Sequence, residues 1–217
     1  MLTSARLWPR VLSAVVFGAL LAILLRRTTS APFHVDSALH AWALSHRPSW
    51  AAHVAIAVTV TGGGAPAYAL AAFAGAVIVR ARRWIGGLLG VAALLSAQLP
   101  RTLLVSAVAR PRPPRADWAW DASGFAVPSG HTTTSAVVAV LLVVAARGRW
   151  RSWWVAAAAL WAVAVGVSRV YLGVHWATDV VSGWLPAACW TSVAAAVVVL
   201  LRRRDSGVVV TRERQRT

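Results

Sequence analysis

The chain contains no lysine and only 6 acidic residues, so its 22 basic side chains are all arginine and its net charge is +16. Its single cysteine, Cys189, lies inside an apolar run, which excludes a disulfide framework and a thiolate metal site. Charged residues make up only 13% of the chain against 59% hydrophobic, and the mean hydropathy of +0.65 departs from soluble-protein composition. The sequence therefore belongs in a membrane. A charge of +16 on a soluble chain would suggest nucleic acid, but that footprint is a solvated basic stripe. Here the arginines stand in short groups between apolar runs and read as topology markers, so the expected partner is a bilayer and no nucleic acid.

What is present is a series of apolar segments: 11–25, 65–79, 84–105, 129–146, 153–167 and 180–201. Each is near the ~20 residues needed to cross the hydrocarbon, which predicts an all-α integral membrane bundle of six transmembrane helices. The first run follows Arg6 and Arg10 as a signal peptide would. Arg26 and Arg27 follow it directly, however, and Ala31 precedes Pro32, a poor context for cleavage, so residues 1–27 are expected to stay as an anchoring helix. Residues 28–64 read as an external or interfacial segment, with Asp36 as N-cap of SALHAWALS, a break at His46-Arg47-Pro48 and a glycine triplet at 62–64. His34, His40, His46 and His53 fall there without the tight spacing of metal ligands and read as solvated or interfacial, so no metal site is expected. Residues 65–201 carry helices 2–6 and residues 202–217 form a tail.

Arg6 and Arg10, Arg80 to Arg83, Arg147 to Arg151 and Arg202 to Arg204 share one side of this arrangement, and the positive-inside rule makes it cytoplasmic, with both termini. Trp8, Trp50, Trp84, Trp118, Trp150, Trp153 and Trp176 fall near the segment ends, as interfacial indoles do. Arg26 and Arg27 run against this orientation.

Three polar clusters interrupt the apolar pattern, and all emerge on the opposite, outer side. In VARPRPPR, the prolines at 111, 113 and 114 hold an extended loop that aims Arg110, Arg112 and Arg115; planar guanidinium suits either phosphate oxygens or lipid headgroups. In PSGH, Ser129 can cap the fourth span, Gly130 permits close backbone approach to an oxyanion at the helix N-terminus, and His131 can give or take a proton near neutral pH. In SRVYLGVHWATD, Arg169, His175 and Asp179 meet at the mouth of the last two spans, where charged groups are expensive. If His175 and Asp179 share a helical turn, the carboxylate accepts the Nδ1 proton and leaves Nε2 as a nucleophile; the bland alternative is a structural network tying two helix ends.

The order RPRP, PSGH and SR-x5-H-x3-D resembles the type 2 phosphatidic acid phosphatase superfamily of membrane lipid phosphatases, from about residue 65 to 201. The resemblance implies that His175 attacks phosphorus to form a phosphohistidine, that Asp179 supports it, and that His131 protonates the leaving alkoxide and then activates water. It implies no metal and no cofactor. Arg112, Arg169, Ser129 and Gly130 are then the phosphate-binding residues. One departure matters: the family's first motif begins with a lysine seven residues before the arginine of its final Arg-Pro pair, here Arg112, and Val105 stands there. Arg101, one helical turn earlier, and Arg110 are candidates to replace it. The implied substrate is a membrane lipid phosphate or a polyprenyl diphosphate. Phosphotransfer to an acceptor alcohol and a catalytically weak lipid-binding protein are the alternatives.

Overall fold

The computed structural model describes residues 4–27 and 31–214. They form α1 (Ser4–Arg27), α2 (His34–Ser45), α3 (Ser49–Thr61), α4 (Gly64–Ile78), α5 (Arg83–Val108), α6 (Gly130–Ala145), α7 (Arg151–Tyr171) and α8 (Ala177–Arg214), with two single 3-10 turns and no strand among the described residues.

Four stretches are long and apolar enough to cross a bilayer: Leu7–Arg27, Arg80–Val108, Arg151–Tyr171 and Ala177–Leu201. A fifth is counted if α3 and α4, bent by 49° where they meet, form one broken span. The sixth expected segment, α6, has 16 residues and at 1.5 Å per residue covers about 24 Å, short of the full hydrocarbon thickness. The second expected span starts within one residue of α4, and α3 supplies the length that 65–79 lacks. The described part of the segment expected to be external, residues 31–64, is thus largely helical. Asp36 is the third residue of α2, not its N-cap, and its carboxylate accepts the N–H of the true N-cap, Phe33. At the other end, α8 runs on through the residues read as a tail.

The molecule is inside out relative to a water-soluble fold. Trp84, Leu88, Leu99, Leu103, Trp153 and Leu160 are each more than 60% exposed. In water each such side chain forgoes about 1.5–3 kcal/mol of burial, whereas lipid tails cover it. Polar groups go inward instead: Asp36, Arg110, Ser129, Thr132, Thr133, Arg169, His175 and Asp179 are all buried. Around them, α6 packs against α4, α5, α7 and α8, with Val137 and Val138 against Leu94, Ala67 and Ala71. Small residues bring α4 and α5 into backbone contact at Gly75, Gly86 and Gly90. Because α6 is central, the start of α6, which carries PSGH, lies between the end of α5, the end of α7 and the start of α8.

Candidate active site

His175 lies in the short link between α7 and α8. The turn there needs Gly173, whose φ is +76° and whose missing Cβ leaves room for the Asp117 carbonyl. Asp179 stands one helical turn later, so its Oδ2 reaches His175 Nδ1 at 3.4 Å and also accepts the Trp176 backbone N–H at 2.8 Å. On the far side of the ring, Arg112 Nη1 lies 2.8 Å from Nε2. Arginine can only donate, so Nε2 is the acceptor and the ring proton sits on Nδ1, facing the carboxylate. Nε2 thus carries the lone pair. Burial above all, then the positive charges of Arg112 and Arg169, holds the His175 pKa well below the ordinary histidine range, so the ring is neutral.

Arg112 is aimed by its backbone partners: Nε donates to Gly124 O at 2.9 Å, Nη2 to Ser123 O at 2.9 Å and Nη1 to Val174 O at 2.8 Å. Arg169, in the last turn of α7, gives Nη1 to Thr59 Oγ1 at 2.9 Å, while its Nε is buried with no protein partner. A third guanidinium arrives from α5. Arg101 Nε donates to Pro128 O at 3.1 Å, and its Cζ and Nη2 lie 3.1 Å from where a Cβ on Gly130 would be. Three guanidinium groups therefore surround one histidine.

Ser129 occupies the N-cap of α6 as expected, but its hydroxyl does not cap the helix; it bonds Thr132 Oγ1 at 2.9 Å. Its N–H donates to the Asp179 carbonyl at 3.2 Å, which joins the starts of α6 and α8. Beyond Ser129, the first-turn N–H groups of α6 have no intrahelical acceptor. His131 follows at the second residue of α6, and Gly63, in the α3–α4 break, lies against its ring. A Cβ on Gly63 would stand 2.6 Å from His131 Nε2.

Eight of the nine candidate residues, Arg101, Arg112, Ser129, Gly130, His131, Arg169, His175 and Asp179, lie on the helix ends and loops that meet here. Arg110 is the exception and a correction. It is fully buried, its Nη2 is 2.9 Å from Asp36 Oδ2 and its Nη1 bonds Asp179 Oδ1 and Thr178 Oγ1, so both Nη groups are directed to protein partners, while its Nε is buried with no partner. His40 is a second correction: it is not solvated but buried, with Nε2 2.9 Å from Asp117 Oδ2 and its ring 5.2 Å from that of Trp176. His34, His46 and His53 are exposed. Sequence reasoning missed Asp36, Thr178, Thr59 and Gly63. Of these, Asp36 was visible as a helix N-cap and Gly63 as part of a glycine triplet that read as a loop breaker.

The helical bundle thus buries a neutral, carboxylate-oriented histidine beside several guanidinium groups. The chain belongs to the PAP2 superfamily, whose pattern it matches over residues 84–203. It is 32% identical over 161 residues to a phosphatidylglycerophosphatase B of Bacillus subtilis, covering 71% of this chain and 79% of that protein. A 61-residue stretch is 39% identical to an undecaprenyl-diphosphatase of Sulfolobus acidocaldarius, 28% of each chain. The fold is similar to the crystal structure of a transmembrane PAP2-type phosphatidylglycerolphosphate phosphatase from Bacillus subtilis, with a TM-score of 0.71 and 26% identity over 89% of this chain and 96% of that one.

Proposed function

We propose that the protein is a membrane phosphatase that hydrolyses a lipid phosphate or lipid diphosphate through a phosphohistidine on His175. The single observation that carries this reading is the imidazole held with Nδ1–H toward Asp179 and Nε2 toward Arg112. That tautomer presents the nucleophilic lone pair where phosphate oxygens would be neutralised. The substrate class follows from the relatives, one of which acts on phosphatidylglycerophosphate and another on undecaprenyl diphosphate.

In the first step Nε2 attacks phosphorus and the bond from phosphorus to the lipid oxygen breaks, while His131 supplies the proton that the leaving alkoxide takes. Arg112 gives up its contact with Nε2 and takes a phosphate oxygen in exchange. Arg169, Arg101 and the first-turn N–H groups of α6 hold the other equatorial oxygens, the electrostatic stabilisation on which phosphoryl transfer depends. Asp179 balances the positive charge that the imidazole acquires. In the second step His131, now neutral, takes a proton from water as it attacks phosphorus, the P–N bond breaks and phosphate leaves. The guanidinium of Arg101 over Gly130 supports an active site despite Val105, because it brings a cation to the start of α6.

By this reading the site opens toward the outer face, since the arginine-rich ends lie opposite it. The intermediate is testable directly. Rapid mixing with phosphatidylglycerol [32P]phosphate and quenching in alkali, which preserves phosphohistidine, should leave label on the wild-type protein and none on His175→Ala. Label on both would remove His175 as the nucleophile.

A further inference from the structure

The steps above leave two members of one buried ionic group, Asp36 and Arg110, without a use. Asp36, Arg110 and Asp179 are each 0% exposed, and Arg110 joins the two carboxylates. Asp36 comes from α2, outside the residues 84–203 that match the family. Its two oxygens are fully engaged: Oδ1 accepts the Thr178 backbone N–H at 2.9 Å, and Oδ2 accepts Thr178 Oγ1 at 2.7 Å and Arg110 Nη2 at 2.9 Å. The Thr178 N–H belongs to the first turn of α8, whose donors have no intrahelical acceptor. Asp36 thus fixes the first turn of α8, the turn that carries Asp179.

The charges give this arrangement a further consequence. When Nε2 bonds to phosphorus, the imidazole becomes cationic, and a net negative charge behind Nδ1 stabilises it. Asp179 alone would supply that charge, but Arg110 beside it cancels it. Adding Asp36 brings the buried group back to a net charge of −1.

We propose that Asp36 is a positioning residue for the nucleophile, offsetting the charge of Arg110 so that the buried group behind Nδ1 stays net negative, and holding the first turn of α8 beneath His175. It touches neither substrate nor the reacting atoms. This rests on the reading of His175 as nucleophile.

The test is steady-state phosphate release from phosphatidylglycerol phosphate in detergent micelles, with wild type, His175→Ala, Asp36→Asn and the double variant Asp36→Asn/Arg110→Gln. Asp36→Asn should lower kcat about tenfold or more and leave KM within about twofold, as expected for an interaction that strengthens in the transition state. The double variant, which restores the net charge of −1, should recover a large part of the lost kcat. A wild-type kcat in Asp36→Asn, or a double variant no better than the single one, would overturn the proposal. If Asp36→Asn does not survive purification, the double variant is compared with Arg110→Gln: an equal or higher kcat in the double, as expected if Asp36 has nothing left to offset once Arg110 is gone, supports the proposal, and a lower one overturns it. Wild-type turnover in His175→Ala would instead bring down the nucleophile reading itself, and this proposal with it.

Discussion

At the scale of single residues, His175 combines burial with a neutral ring, and that has a thermodynamic cost at low pH. Its pKa in the folded protein lies below the unfolded value of about 6.5, so the unfolded chain takes up the proton first as pH falls. Its contribution to stability is therefore complete above about pH 6.5 and is lost as the pH drops toward the folded value. Thermal unfolding in detergent should show Tm falling between pH 7.5 and 5.5, and falling less in His175→Asn. Arg101 is expected to bind phosphate: Arg101→Ala should reduce kcat/KM by about 10²- to 10³-fold, the scale of losing one charge-stabilising donor, with Arg101→Lys less affected. Ala109, which ends α5 with φ +48°, makes the opposite kind of prediction. An alanine in the left-handed region costs about 1 kcal/mol or more relative to glycine, so Ala109→Gly should raise Tm without changing turnover. Arg101 was legible in the sequence because it lies one turn from Val105. The role of Arg110 was not, because its partner Asp36 is 74 positions away and no local pattern joins them.

At the scale of elements, the α3–α4 break matters most. Irregular backbone at membrane depth is tolerated only where it is buried in protein or lines a cavity, and here Gly62 meets Val165 while Gly63 meets His131. Gly63→Val should push His131 out of place. General acid catalysis contributes on the order of 10²- to 10⁴-fold, so turnover of a lipid phosphate should fall by about 10²-fold. An aryl phosphate, whose leaving group needs little protonation, should be far less sensitive. Equal losses on both substrates would mean that Gly63 serves the fold rather than His131. The long helices α1, α5, α7 and α8 were readable from hydropathy alone, since each apolar run exceeds what a water-soluble helix would carry. The short α3 was not, because its Thr59 faces Arg169, a partner that the sequence does not display; α2 was readable as a helix after Asp36, but its start and its partners, Arg110 for Asp36 and Asp117 for His40, were not.

At the scale of the whole molecule, lipid-facing side chains surround a polar interior, and three motifs separated by tens of residues converge because α6 is the central helix. That convergence was legible as the shared side of three clusters in a six-span arrangement. Its geometry was not, since the α3–α4 bend and the shortness of α6 follow from packing. The proposed orientation predicts a labelling pattern in a Cys189→Ser background: a membrane-impermeant maleimide on intact cells should modify Ser123→Cys, in the loop beside the site, and leave Arg149→Cys unmodified until the membrane is opened. The reverse pattern would invert the protein. The most direct measurement is phosphate release by purified protein in mild detergent with EDTA, from phosphatidylglycerol phosphate and undecaprenyl diphosphate, with His175→Ala beside the wild type. Release that persists in EDTA and falls to background in the variant is the expected result. Release by His175→Ala at the wild-type rate would contradict a phosphatase built on His175.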